Sequence, residues 1–93
     1  MVTMNQRVRA NSDVVDTELD QQETVLLHLQ SKLYYSLNPT GTRIWQGLKR
    51  GLTLGEITHD LQEEFDISSE QAGHSVLALV DELCDQQLLS RVD

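Results

Sequence analysis

Ninety-three residues suffice for one domain with a single shallow core, and leave no room for a deep catalytic cleft beside its scaffold. Fifteen acidic residues against seven basic ones give a formal charge of −8. Gly51 to Ser90 contains no Lys or Arg but holds Glu56, Asp60, Glu63, Glu64, Asp66, Glu70, Asp81, Glu82 and Asp85, a surface that repels phosphate and suits a neutral or basic partner.

In chain order, residues 1–12 are polar and irregular and read as a flexible arm, with a short edge strand around Arg7 to Arg9; residues 13–93 form the domain. Val14 to Leu19 alternates, with Val15, Thr17 and Leu19 on one side and Val14, Asp16 and Glu18 on the other. Thr24 to Leu29 places Val25, Leu27 and Leu29 on one face, and Leu33 to Leu37 sets Leu33, Tyr35 and Leu37 against Tyr34 and Ser36. Period two in β-branched and aromatic residues predicts half-buried strands. The short polar breaks at 20–23 and 30–32 make them an antiparallel three-stranded meander.

Asn38-Pro39 switches the period: Asn is a favoured N-cap and Pro is tolerated at the first helical position. A helix is predicted to about Lys49, presenting Gly41, Ile44, Trp45 and Leu48, with Gly51 as its left-handed cap. Thr53 with Glu56 forms a capping box for a second helix, whose apolar face is Leu54, Ile57, Leu61 and Phe65. Ser68, with Gln71 in the box position, starts a third helix to about Gln87. Ala72, Val76, Leu79, Val80 and Leu83 form its main stripe, and Leu77, Cys84 and Leu88 a second line. Leu88 to Val92 returns as a short strand. The fold class is therefore α+β and winged-helix-like, a three-stranded antiparallel sheet followed by three helices.

Chemistry-bearing constellations are sparse. His28, His59 and His74 lie on three different elements without Cys or Asp at ligand spacing, and read as surface or half-buried side chains. Cys84 has no basic neighbour to activate it and reads as a small core residue. The single glycines form no phosphate loop. The expectation is no enzyme, no metal and no cofactor. With one cysteine, a polar N-terminus and no apolar run near the ~20 residues of a membrane span, the expected compartment is the cytoplasm.

Three helices with a wing raise a DNA-binding transcriptional regulator as the alternative. Its reading helix would be the third, which carries Glu70, Asp81, Glu82 and Asp85 and no cation. The positive candidate is a sheet edge. Leu33-Tyr34-Tyr35-Ser36-Leu37 has neither Pro nor charge to blunt it, so an extended peptide can add a strand there against the third helix. Cover by the arm, by the tail or by a second subunit in a homodimer is the other reading of the same edge.

Several blocks carry a family pattern: Asp16 to Leu19 with Glu23 to Leu27; Tyr34-Tyr35-Ser36-Leu37-Asn38-Pro39-Thr40-Gly41 with Ile44-Trp45; Thr53, Glu56-Ile57 and Leu61 with Glu64 to Ile67; and Val80, Glu82-Leu83 and Leu88-Leu89. Together they resemble the PqqD-like family, the RiPP recognition elements, and most of all the stand-alone leader-binding proteins of lasso-peptide pathways. The tyrosine–Leu-Asn-x-Thr-Gly block is the specific part. The resemblance implies a non-catalytic domain that binds the leader of a ribosomally made precursor as an added strand. It implies presentation to a maturation enzyme, a leader peptidase or a radical-SAM enzyme, without nucleic acid or membrane. Carried over, the peptide-binding strand is Leu33, Tyr34, Tyr35, Ser36 and Leu37, and the helical wall is Val76, Leu77, Val80, Asp81 and Cys84, with basic leader residues meeting Asp81 or Asp85.

Overall fold

The computed structural model describes residues 7–20 and 22–92. The order is β1 (Arg7–Ala10), β2 (Val14–Leu19), β3 (Glu23–His28), β4 (Tyr34–Leu37), α1 (Pro39–Lys49), α2 (Leu54–Phe65), α3 (Ser69–Asp85) and β5 (Leu89–Val92). Strands β2, β3 and β4 form the expected antiparallel meander, and the three helices follow it. Of the expected arm, residues 1–6 lie outside the described ones. Residues 7–10 form β1, which pairs with β5 in a separate ribbon from Arg7↔Val92 to Ala10↔Leu89. Val8 and Leu89 are both buried, so this ribbon contributes to the core.

The helix ends follow their capping chemistry. Asn38 Oδ1 accepts from Gly41 N at 2.8 Å and Pro39 opens α1. Thr53 and Glu56 close a reciprocal capping box on α2, at 3.2 and 2.8 Å. Ser68 Oγ accepts from Gln71 N at the start of α3. Helix α1 ends in a Schellman pattern, with Leu52 N donating to Gly47 O and Gly51 N to Leu48 O, and with Gly51 at φ +80. The same pattern ends α3, where Leu88 N donates to Leu83 O and Gln87 N to Cys84 O. There Gln87 takes the left-handed conformation at φ 62, so α3 stops at Asp85, two residues before the expected end.

Trp45, Leu26, Ile44, Leu54, Ile57, Leu61, Val76, Val80 and Leu83 make the centre of the core. A Cβ on Gly47 would approach Ile57 Cγ1 to 2.8 Å, so this glycine sets how closely α1 and α2 pack.

The sheet turns its other face inward than the alternation of β3 suggested. Thr24, Leu26 and His28 are buried, whereas Val25 and Leu27 are half-buried and Leu29 is exposed. Both registers of Thr24 to Leu29 carry apolar residues, so period two alone does not choose between them. On β2, Val15 and Leu19 are exposed while Asp16 reaches α1: Trp45 Nε1 donates to Asp16 Oδ2 at 3.0 Å and Lys49 Nζ at 2.8 Å. His28, read as surface or half-buried, is 4% exposed. Its Nδ1 accepts from Gln30 N and Ser31 N, both at 3.3 Å, and so ties down the β3–β4 turn.

Candidate functional site

The register of the meander fixes which backbone groups of β4 are free. His28 N donates to Leu33 O at 3.0 Å. Antiparallel pairs alternate between bonded and non-bonded, so the bonded pairs are His28–Leu33, Leu26–Tyr35 and Thr24–Leu37. The N–H and C=O groups of Tyr34 and Ser36 therefore point away from β3, toward an edge with no strand beside it among the described residues.

That edge faces α3 across a cleft. A hollow of about 460 Å³ is bounded by Tyr35 and Leu37 on the strand, Ile44 on α1, and Ala78, Leu79 and Glu82 on α3; Asn38, Thr40, His74 and Ser75 close one end. A second hollow of about 240 Å³ continues past Tyr35, between Leu33 and Tyr34 on one side and Gln86 and Leu88 on the other. The two run the length of β4. Tyr34, 72% exposed, projects from the opposite face of the sheet and lies at the rim of the second hollow.

Tyr35 and Glu82 border the first hollow from its two sides, and the phenol and the carboxylate interact across it. Burial, followed by the hydrogen bond and negative charge of Glu82, pushes the Tyr35 phenol up to about 12, so it stays a donor throughout the neutral range.

Leu33, Tyr34, Tyr35, Ser36 and Leu37 all border the cleft. The expected helical wall needs correction. Val76 and Val80 are completely buried and present no surface to a guest. Leu77, Asp81, Cys84 and Asp85 line neither hollow. Helical residues advance about 100° each, so Leu77, Asp81 and Cys84 fall on one flank of the buried Ala72–Val76–Val80–Leu83 stripe and Asp85 on the side away from it, while Ser75, Leu79, Glu82 and Gln86 fall on the other flank with Ala78 at its outer border. It is the second flank that β4 meets. The sequence marks both flanks of the stripe; which one faces β4 depends on how the helix is rolled against the sheet. The polar end of the cleft, Asn38, Thr40 and His74, carried no chemical signal in sequence beyond the cap at Asn38.

Among the described residues no cluster of three or more His, Cys, Asp or Glu is arranged to hold a metal ion, and no helix is long and apolar enough to cross a membrane. Among the described residues Arg43 pairs with Glu64, Lys49 pairs with Asp16, and Arg7 Nε donates to Gly51 O.

A profile of the family described as coenzyme PQQ synthesis protein D (PqqD) matches residues 23–89, from β3 to the start of β5. No curated protein matches the chain in sequence. Among solved structures, the fold is similar to "TbiB1 in complex with the TbiA(beta) leader peptide", with TM-score 0.82 and 30% identity over 87% of this chain and 93% of that one. It is also similar to "lasso peptide synthetase B1 complexed with the leader peptide", with TM-score 0.81 and 25% identity over 89% of this chain and 96% of the other.

Proposed function

Because this chain belongs to the PqqD family, we propose that it binds the leader of a ribosomally made precursor peptide as a fourth strand on β4 and presents it to a maturation enzyme, acting by binding alone. The observation that carries this is the open backbone of Tyr34 and Ser36 beside a cleft as long as the strand. An added strand gains main-chain hydrogen bonds from those two residues and seats alternate side chains against Tyr35, Ala78 and Leu79. Both solved relatives are complexes with leader peptides, which supports the reading, and one is described as a lasso peptide synthetase component, which favours a lasso pathway and hence a leader peptidase as the enzyme served.

The exposed face of α3 offers Glu70, His74, Asp81, Glu82 and Asp85 but no cation, which opposes duplex binding. Titration of a labelled leader, encoded beside this gene, into the protein tests the proposal. Saturable binding tighter than about 1 mM, or about −4 kcal/mol, is expected. Weaker binding, or a protein that light scattering shows as a dimer indifferent to peptide, assigns the edge to a second copy instead.

A further inference from the structure

Resting on that leader-binding reading, we propose that the guest residue seated opposite Tyr35 is a lysine or arginine, whose cation takes the Glu82 carboxylate over from the Tyr35 hydroxyl. Residues directly across a strand pair share a face of the sheet. Tyr35 points toward α3, since its neighbours Tyr34 and Ser36 are exposed and its partner Leu26 is fully buried. A guest bonded to Tyr34 and Ser36 therefore sends the side chain opposite Tyr35 into the cleft, next to the Tyr35 ring and within reach of Glu82.

Among the described residues Glu82 is the only carboxylate bordering the two hollows, and neither Lys nor Arg borders them. In the free protein this carboxylate is exposed to water, with the neutral Tyr35 phenol as its neighbour across the cleft. A strand laid on β4 removes much of that water. An aliphatic or acidic guest residue at this place leaves a covered charge without a counter-charge, which is costly. The last turn of α3 contains no basic residue, so the partial negative charge of the helix end adds to the demand rather than relieving it. A guest cation answers both, and its stem packs along the Tyr35 ring.

The test is a mutant cycle on the full chain with the leader encoded beside the gene, by calorimetry. Each Lys and Arg of the leader is changed singly to Gln and titrated into wild type, Glu82→Gln and Tyr35→Phe. One leader position is expected to lose about tenfold in affinity against wild type and less than about twofold against Glu82→Gln. Tyr35→Phe, which frees Glu82 from its internal donor, is expected to tighten the unmodified leader severalfold and leave that Gln variant unchanged. Circular dichroism of both protein variants verifies the fold. A leader that binds wild type but shows no basic position coupled to Glu82, or that has no Lys or Arg at all, overturns the inference and leaves strand addition standing. Failure of the unmodified leader to bind wild type sinks the leader-binding reading itself.

Discussion

The meander has two edges, and they are treated differently. On β2, the backbone groups of Val14, Asp16 and Glu18 face outward by the same alternation, since Leu29 N donates to Asp13 O and so fixes the bonded pairs. This edge is closed by local means. Val14 N is already bonded to Asn11 O at 3.0 Å, Asp16 is held by Trp45 and Lys49, and Glu18 accepts from Gln46 Nε2 at 3.3 Å. Two acids on a six-residue strand further discourage pairing. On β4 no such closure occurs among the described residues: Tyr34 and Ser36 are uncharged, and α3 stands opposite as a wall. Exposure is common to both edges; what sets β4 apart is an outward backbone without these closures and a helix facing it.

The sharpest way to break this contrast is a pair of proline substitutions. Ser36→Pro removes an outward N–H and puts a ring on the open edge, where the fold tolerates it. Leader affinity measured by calorimetry is expected to fall more than about tenfold, the loss of a hydrogen bond plus a steric block. Glu18→Pro, its mirror on β2, is expected to leave affinity within about twofold; the reverse outcome would move the guest to β2.

His28→Ala comes next in size. It deletes the acceptor for Gln30 N and Ser31 N in the turn that delivers β4, at a buried position. Urea unfolding is expected to show a loss of about 1–3 kcal/mol, with leader affinity falling alongside. Affinity unchanged in a destabilised protein would show that the turn does not set the edge.

Asp16→Asn addresses the closed edge and is expected to cost about 1 kcal/mol at neutral pH. Burial raises the Asp16 carboxyl, but the hydrogen bonds from Lys49 and Trp45 and the Lys49 charge outweigh it and hold the group below its ordinary value. A depressed carboxyl contributes stability above its unfolded value. That contribution is lost as the pH falls through the folded one, so the gap between wild type and variant should narrow in acid. Leader affinity should not change.

The smallest effect is at the other end of the scale. Tyr35 is raised to about 12, so the unfolded chain ionises first and stability is expected to fall between its ordinary value of 10.0 and 12. The tyrosinate absorbance difference between wild type and Tyr35→Phe should accordingly titrate near 12.

Local chemistry made most of the fold readable in advance. Asn38-Pro39, Thr53 with Glu56, and Ser68 begin helices where their side chains accept the first free N–H groups, and Gly51 lies at the one glycine φ that is positive. The open edge of β4 was equally legible, since Leu33 to Leu37 has no charge and no proline. Legibility ended where a choice between two faces depends on distant partners. Val25 and Leu27 are as apolar as Leu26, and the flank of α3 holding Leu77 and Cys84 looks as suitable as the one holding Ala78 and Leu79. The roll of α3 is fixed by which flank meets β4, and that contact joins residues 47 positions apart, such as Tyr35 and Glu82. The β1–β5 ribbon was foreseen as two strands but not as a pair, for the same reason.

That ribbon has a practical corollary. With Arg7 set beside Val92, the two ends of the described chain emerge as neighbours. Such a domain can be inserted into a loop of a larger polypeptide, or circularly permuted through a short linker, while the meander and its receptor edge stay as they are. Genetic fusion to an enzyme at either terminus would then hold the captured leader at a similar distance from the catalyst, because both tethers start from nearly the same point.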